Sequence, residues 1–304
     1  MLTRYEHKGT VWIDCERPTV EEIESLVEEF QLGAFVEREL LSPSPKPRID
    51  LFPNFIYTVL HFPASRDTRG TLQSREVDLI ILKSAVITVH YESVPAIHDF
   101  ARSFESSLLM KRAVKELHSG HIVFELSSRL YRAVEDELDA SEDAVNKIES
   151  DIFSRREREL VRPISELTRE VLNHKRTIAG QDDVLRELEI AATALFGSEY
   201  KAFVASMSAL QFRVSTRAQL LLDVLRALAD TNNALLSTRQ NEIMKNLTVM
   251  ASIMLPLSLV SSLFGMNTVD NPIVGSPNDF WIILLILAAV GVVCACYFWI
   301  KRWF

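Results

Sequence analysis

The chain has 304 residues, enough for two domains of average size, and a formal net charge of −8 from 33 basic and 41 acidic residues. This acidic balance excludes a general nucleic-acid binder, which would present a basic surface. Charged residues make up 24% and hydrophobic residues 48% of the chain, which excludes a disordered protein.

The first 110 residues are predicted to form an α/β domain that stays in the cytoplasm. Thr19 and Glu22 have the spacing of a capping box before an amphipathic run, so a helix is expected to begin after Thr19. Residues 83 and 84 have the character of a hairpin turn, which makes the strands on either side antiparallel neighbours. The β-rich runs that predict strands are 11–13, 55–61, 77–82 and 85–90.

From about residue 111 onward the pattern is helical. Runs 124–153 and 163–196 predict two long helices, with a polar break at 154–157. Between Gly197 and Gly265 there is no glycine, which predicts one helix of about 65 residues, roughly 100 Å long. Such a helix is expected to bundle with other long helices.

The last 59 residues contain two segments that are apolar enough to cross a bilayer, which takes roughly 20 residues. Residues 280–300 are uncharged and strongly apolar, and residues 247–264 are apolar with several hydroxyls. Two buried core helices are the alternative. Trp281, Tyr297 and Trp299 lie near the segment ends, as interfacial aromatic residues do, and favour the membrane.

The basic residues at the ends of the two spans predict the topology. Lys245 precedes the first span, Lys301 and Arg302 follow the second, and the loop between them has neither Lys nor Arg. Both chain ends are therefore expected in the cytoplasm, and the start of the chain has no signal-peptide pattern. The predicted organisation is a cytoplasmic α/β domain (1–110), cytoplasmic long helices (111–197), a stalk helix (198–266) with the first span at about 246–265, an external loop (267–279), the second span (280–300) and a basic tail (301–304).

One stripe of the long helix mixes carboxylate, amide, hydroxyl and apolar side chains. A lipid-facing stripe would not carry hydroxyls, because hydrocarbon offers them no partners. Two interpretations are open: helix packing through small residues, or a pore wall in a symmetric oligomer. This mixed stripe consists of Asp230, Ser237, Asn241, Met244, Leu247, Ala251, Leu255, Ser258 and Ser262.

The first span ends in the tripeptide Gly265-Met266-Asn267. A GMN tripeptide at the outer end of the first of two C-terminal spans, after a large acidic domain, closely resembles the CorA family of divalent-cation channels. Residues 11–14, residues 17–19, residues 254–257 and the basic end of the chain resemble the family as well. The resemblance therefore covers most of the chain.

This resemblance implies a funnel-shaped homopentamer with an α+β cytoplasmic domain, a long stalk helix and two spans per copy. It implies that Gly265, Met266 and Asn267 form the selectivity filter and that Asn267 holds a hydrated cation. It also implies that Asp230 and Asn241 ring the cytoplasmic pore and contact the cation, that Met244, Leu247 and Leu255 form a hydrophobic gate, and that Lys301 and Arg302 belong to a basic sphincter. On the pore interpretation of the mixed stripe, Ser237, Ser258 and Ser262 are further polar pore-lining positions.

The function implied is passive entry of Mg²⁺, with Co²⁺ or Ni²⁺ as further substrates, through a channel that intracellular Mg²⁺ closes. The loop lacks the family's usual glutamate, so Asp270 or Asp279 is expected to supply the outer negative charge. Two alternatives stay open: a proton-coupled zinc transporter of the ZntB type, and a membrane-anchored cation sensor that does not conduct.

The cysteines, the histidines and the acidic run give no clear indication of a further functional site. The three cysteines suggest no disulfide framework, and His118 with His121 is read as a turn before a helix rather than as a metal site. The acidic run 135–151 is interpreted as a solvated helix face, with cation sensing as the alternative. No catalytic motif is present, so we expect neither an enzyme nor a resident cofactor. The expected partners are further copies of the chain, divalent cations and lipids of the inner (plasma) membrane.

Overall fold

A computed structural model describes residues 1–7, 9–64, 74–109, 118–154, 156–266, 273, 275 and 278–301. The chain forms two compact units, Met1–Ala229 and Asp230–Phe304. In chain order the described elements are β1 (Leu2–His7), β2 (Thr10–Glu16), α1 (Val20–Phe30), α2 (Gly33–Leu40), β3 (Arg48–Leu51), β4 (Phe55–Pro63), β5 (Ser74–Leu82), β6 (Ala85–His90), α3 (Pro95–Leu109), α4 (Ser119–Asp151), α5 (Glu157–Ala179), α6 (Asp182–Phe196), α7 (Glu199–Phe264) and α8 (Asp279–Ile300).

The first unit is built on a mixed sheet of six described strands in the order β1-β2-β6-β5-β4-β3. Strands β2 and β6 run parallel, and the other neighbours are antiparallel. The predicted hairpin is confirmed, because β5 and β6 are antiparallel neighbours joined at residues 83 and 84. The sheet therefore pairs strands that are far apart in the chain, such as β2 with β6.

Helices cover both faces of the sheet, as the alternation of side chains along a strand requires. On β2, Ile13 and Cys15 belong to a buried cluster with residues of α1 and α2. Trp12 points to the other face, where its ring lies 4.7 Å from that of Phe100 on α3. Burial on both faces explains why β4, β5 and β6 read as nearly continuous apolar runs.

The predicted start of the first helix is confirmed in detail. The Glu22 amide donates to Thr19 Oγ1 at 3.3 Å, and the Thr19 amide donates to Glu22 Oε2 at 3.1 Å. These reciprocal bonds satisfy two amides that would otherwise lack partners at the beginning of α1. Local sequence was sufficient here because both groups lie within three residues of each other.

Four elements of the first unit were not predicted: β1, α2, β3 and α3. Strand β1 lies at the sheet edge with alternating exposure, and β3 and α2 are only four and eight residues long. Such short or edge elements have weak periodicity and depend on the surface they pack against. The α3 segment begins at Pro95, inside the region that was assigned to the α/β domain.

The single helical run predicted at 163–196 is wrong, because α5 ends at Ala179 and α6 begins at Asp182. Two buried side-chain amides, one in the break and one on α7, join it to other elements of the first unit. Gln181 donates to the carbonyl of His61 on β4 and accepts from the Tyr131 hydroxyl on α4. Gln211 of α7 donates to the carbonyl of Ile178 at 3.0 Å. The break also has a local signal, because Gly180 is the C-cap of α5 and Asp182 and Asp183 lie in the first turn of α6.

The start of α4 requires a glycine. A Cβ at Gly120 would lie 2.9 Å from Phe203 Cδ2 and 3.0 Å from Tyr200 Cε1, both on α7. We expect Gly120→Ala to lower the free energy of unfolding by about 1–3 kcal/mol, because Tyr200 is buried and cannot move freely. Thermal unfolding of the full-length chain measures this loss.

Gly180→Ala is the matched control for this substitution. Its Cβ would meet no atom closer than Pro47 Cγ at 3.6 Å, an ordinary contact. Its φ of −65° is also open to alanine. Equal unfolding temperatures for the two variants would contradict the close approach at Gly120.

Candidate functional site

Helices α7 and α8 are each long and apolar enough to cross a membrane. In the apolar window of α7 only 6% of the residues are buried within the chain, and in that of α8 none is. A core helix of a water-soluble protein would bury most of such a surface. This favours the membrane over the alternative of two core helices.

The two helices contact each other where Leu257, near the C-terminal end of α7, lies against Gly291 in the middle of α8. Counting at 1.5 Å per residue, Lys245 is about 18 Å and Lys301 about 15 Å from this contact along their helices. Gly265 lies about 30 Å beyond Lys245, which matches the thickness of the hydrocarbon core. The α7 segment from Lys245 to Gly265 is therefore long enough to cross that core.

Every residue of the mixed stripe is exposed within the single chain, and Leu255 is 69% exposed. The opposite face of α7 is the covered one: Val249 is buried, and Ile253, Pro256, Leu257, Val260 and Phe264 are partly buried. At 100° per residue the centres of the two faces lie on opposite sides of the helix. The stripe thus faces away from the side that contacts α8.

The outer end of α7 lies at Phe264. The Gly265 amide donates to the Ser261 carbonyl at 3.0 Å, which closes the last turn, and the Met266 side chain is exposed. Asn267 and Asp270 lie outside the described residues, as does Arg302 at the other end of the pair. Their assigned roles stay predictions.

Asp279 has a structural role at the start of α8. Its carboxylate accepts from the Gly275 amide at 3.1 Å and from the Phe280 amide at 2.7 Å, at the start of α8. An acidic side chain there also interacts favourably with the helix dipole. Of the two acids expected at the outer mouth, Asp279 is thus already engaged in holding the loop to α8.

The acidic run 135–151 is largely engaged by basic groups of the first unit. Four of its eight acids have such partners, which the sequence analysis missed because the partners lie on α5 and α7. The pairs are Glu135 with Arg213, Glu137 with His174, and both Asp139 and Glu142 with Arg217. The run therefore includes a helix–helix contact as well as a solvated face.

Among the residues that the structure describes, no group of three or more His, Cys, Asp or Glu side chains could hold a metal ion. His118 and His121 lie at the start of α4 and pack against the rings of Tyr200 and Phe203. Burial, together with nearby His121 and Lys83, lowers the pKa of His118. This pair therefore has a packing role at the α4–α7 contact.

Comparisons with known proteins agree with this architecture. Residues 7–302 match the family described as "CorA-like Mg2+ transporter protein". A cobalt/magnesium transport protein CorA from Thermotoga maritima is 22% identical over 92% of this chain and 79% of its own length. The structure of the CorA magnesium transporter from Methanocaldococcus jannaschii superposes with a TM-score of 0.85 at 19% identity, covering 99% of this chain and 93% of that one.

A ZntB cytoplasmic domain from Vibrio parahaemolyticus also shares the fold of part of the chain. It has a TM-score of 0.62 at 14% identity and covers 76% of this chain and 90% of that one. At these identities each structural match shows the fold only.

Proposed function

This chain belongs to the CorA-like Mg2+ transporter family, and from that premise we propose that it is a membrane channel for divalent cations. Its principal substrate is Mg²⁺, with Co²⁺ and Ni²⁺ as further candidates. The cations enter down the membrane potential, and intracellular Mg²⁺ closes the channel. Two charges moving inward gain about 4.6 kcal/mol per 100 mV, so no ATP is required.

The observation that carries this proposal is the exposed mixed stripe on the side of α7 away from α8. Ser258 and Ser262 are unfavourable against hydrocarbon, because a hydroxyl finds no hydrogen-bond partner there. Five copies placed around an axis would turn these hydroxyls to a central water-filled path and leave α8 as an outer ring. Leu247 and Leu255 then form apolar rings that can gate the path by dewetting.

Ion selection is proposed to occur at the outer end of this path. Mg²⁺ sheds its water reluctantly, so a ring of amide oxygens acting on the hydration shell suits it better than a close cage of carboxylates. Asn267 supplies those oxygens in the proposal. Gly265 and Met266 form the turn that presents them, and Asp230 and Asn241 contact the hydrated ion at the inner end.

The proposed topology places both chain ends in the cytoplasm. In this topology Lys245 and Lys301 lie at the same, cytoplasmic edge of the apolar layer, because positive residues favour that side. Trp299 and Tyr297 are largely exposed near this edge, as residues at a lipid headgroup region are. The first unit and Lys301, a member of the basic sphincter, are then on the cytoplasmic side.

Ion flux into proteoliposomes tests the proposal. We expect an inside-negative potential to drive Mg²⁺ into vesicles containing the full-length chain, and Mg²⁺ preloaded on the side of the first unit to reduce that flux. Co²⁺, Ni²⁺ and Zn²⁺ are compared under the same potential, with protein-free vesicles as the control.

Zinc entry that follows a pH gradient instead of the potential would identify a coupled transporter. Absence of flux for every cation, with the oligomer intact, would identify a sensor. Either result would overturn the channel proposal.

A further inference from the structure

Helix α4 is held to two other helices through its acidic side chains. Arg213 of α7 donates to both oxygens of Glu135, at 2.6 and 3.2 Å, and Arg217 binds Asp139 and Glu142. On the α5 side the corresponding contact is made by a histidine, His174, whose Nε2 lies 2.7 Å from Glu137 Oε2. Arginine keeps its charge at any ordinary pH, whereas histidine titrates near neutrality.

Both ring nitrogens of His174 face oxygen acceptors. Besides the Nε2 contact with Glu137, Nδ1 lies 2.8 Å from the carbonyl oxygen of Glu170. A carbonyl accepts only, so Nδ1 carries a hydrogen and donates to it. A hydrogen bond between Nε2 and Glu137 then requires a second proton, carried by Nε2 or by the carboxylate. Without it, the lone pair of Nε2 would face a lone pair of the carboxylate.

Because the ring is buried, loss of this second proton would destabilise the contact between α4 and α5. The His174 residue is 2% exposed, so water cannot replace a lost partner. Burial alone lowers the pKa of His174, but the bond and charge of Glu137, together with Glu170, outweigh it and raise the pKa. The doubly protonated ring therefore persists to a higher pH than in an ordinary histidine.

Several charged groups on the elements that contact α5 have partners other than His174. On α7, Arg217 is bound by Asp139 and Glu142, and Gln219 binds Lys175, the residue after His174. On β4, His61 lies 3.6 Å from Glu76. The groups that act on the His174 ring are thus Glu137 from α4 and Glu170 from its own helix.

We propose that His174 and Glu137 form a proton-dependent latch between α4 and α5, closed when the ring is doubly protonated and opened as the pH rises. Loss of one proton leaves a nitrogen lone pair against a carboxylate or carbonyl oxygen in a buried contact. Opening the latch weakens the contact of α4 with α5, while the arginine contacts of α4 with α7 remain. The latch thus makes the α4–α5 contact, and not the α4–α7 contact, sensitive to pH.

The sign of the pH dependence follows from linkage. A group whose pKa is raised by folding adds stability that is complete below its unfolded pKa, about 6.5 for histidine, and is lost as the pH rises through the folded pKa. The latch is therefore closed in mildly acidic solution. It weakens as the pH rises above the ordinary histidine value.

Hydrogen exchange on the full-length chain in nanodiscs, followed by mass spectrometry from about pH 6 to about pH 9, tests the latch. After correction for the intrinsic pH dependence of exchange, we expect protection of α4 and α5 peptides to fall as the pH rises. Peptides are read separately because His90, buried against Asp14, also has a raised pKa and contributes to global stability.

Three variants separate a latch from simple packing. In His174→Gln we expect low protection in the α4 and α5 peptides with no titration. In Glu137→Gln the acceptor oxygen remains but the charge is lost, so the midpoint is expected to move to lower pH. His98→Gln removes a partly exposed histidine that pairs with Glu16 on β2, and it should leave the α4 and α5 midpoint unchanged.

The wild-type protein alone can overturn the proposal. Protection of α4 and α5 that stays constant over this pH range would show that no proton is released there. A midpoint that is the same in wild type and in Glu137→Gln would show that Glu137 does not hold the proton. Neither outcome depends on whether the chain transports ions.

Discussion

Asn267→Ala is expected to reduce selective Mg²⁺ flux by about tenfold to a hundredfold while the oligomer stays assembled. The variant removes the amide oxygen proposed to accept hydrogen bonds from the hydration shell of the ion. A hydrogen bond to a charged group contributes about 1.5–3 kcal/mol, and each 1.4 kcal/mol is about tenfold. Potential-driven uptake into proteoliposomes measures the loss, and size-exclusion chromatography checks assembly.

Asn278→Ala is the control for this experiment. Asn278 is in the same loop region, directly before α8, and its side chain makes no capping bond to that helix. We expect wild-type flux from it. Unchanged uptake in Asn267→Ala, with wild-type uptake in Asn278→Ala, would remove the selectivity site from the proposal.

Ser258→Cys is expected to make flux sensitive to a water-soluble, positively charged methanethiosulfonate reagent. Ser258 belongs to the mixed stripe, so its thiol would lie in the water-filled path and five fixed charges would oppose the ion. At about 4 Å and an effective dielectric constant of 20, one such charge opposes a divalent ion by about 8 kcal/mol. We therefore expect flux to fall to the level of empty vesicles.

Ser261→Cys is the matched control. Ser261 is also exposed in the single chain, but it lies about 60° around the helix from Ser258 and outside the stripe. Its thiol is expected to face a neighbouring helix, where the native hydroxyl finds a partner, and to escape the reagent. Equal loss of flux in both variants would contradict the assignment of the stripe to the pore.

The native cysteines must not react with the reagent in this test. Cys294 and Cys296 are at least partly accessible on α8 and are replaced by alanine in both variants. Cys15 can remain, because burial, with the nearby charge of Glu22, raises the pKa of its thiol to about 11. A buried thiol that stays protonated at neutral pH does not react.

Elements with a short-range cause were predictable from the sequence. The capping box of Thr19 and Glu22 needs only three residues, and the β5–β6 hairpin needs only a two-residue turn. The long helix α7 and the apolar α8 follow from the absence of helix breakers and from hydropathy over about 20 residues. In each case the deciding interactions lie within the segment itself or with its solvent.

The candidate site was likewise predictable from the sequence only in part. The spacing of the mixed stripe was visible in the sequence, because side chains on one helix face recur at fixed steps. Which side of α7 meets α8 was not visible, and the Leu257–Gly291 contact and the burial of Val249 decide it. The cation contacts at Asn267, Asp230 and Asn241 stay predictions, of which the flux of Asn267→Ala tests the first.

Sequence by itself determined the two apolar spans, the long helix, the hairpin and the exposed stripe, because hydrophobic periodicity and local hydrogen bonds fix them. Only the tertiary structure decided which buried partners hold the α5–α6 break at Gly180 and which acids of the run 135–151 are paired. The buried amides of Gln181 and Gln211 join the break to other elements, and Arg213, Arg217 and His174 bind the acids across helices. Those partners lie 33 to 120 residues away along the chain, and a distant group shapes a local segment only after folding has brought it into contact.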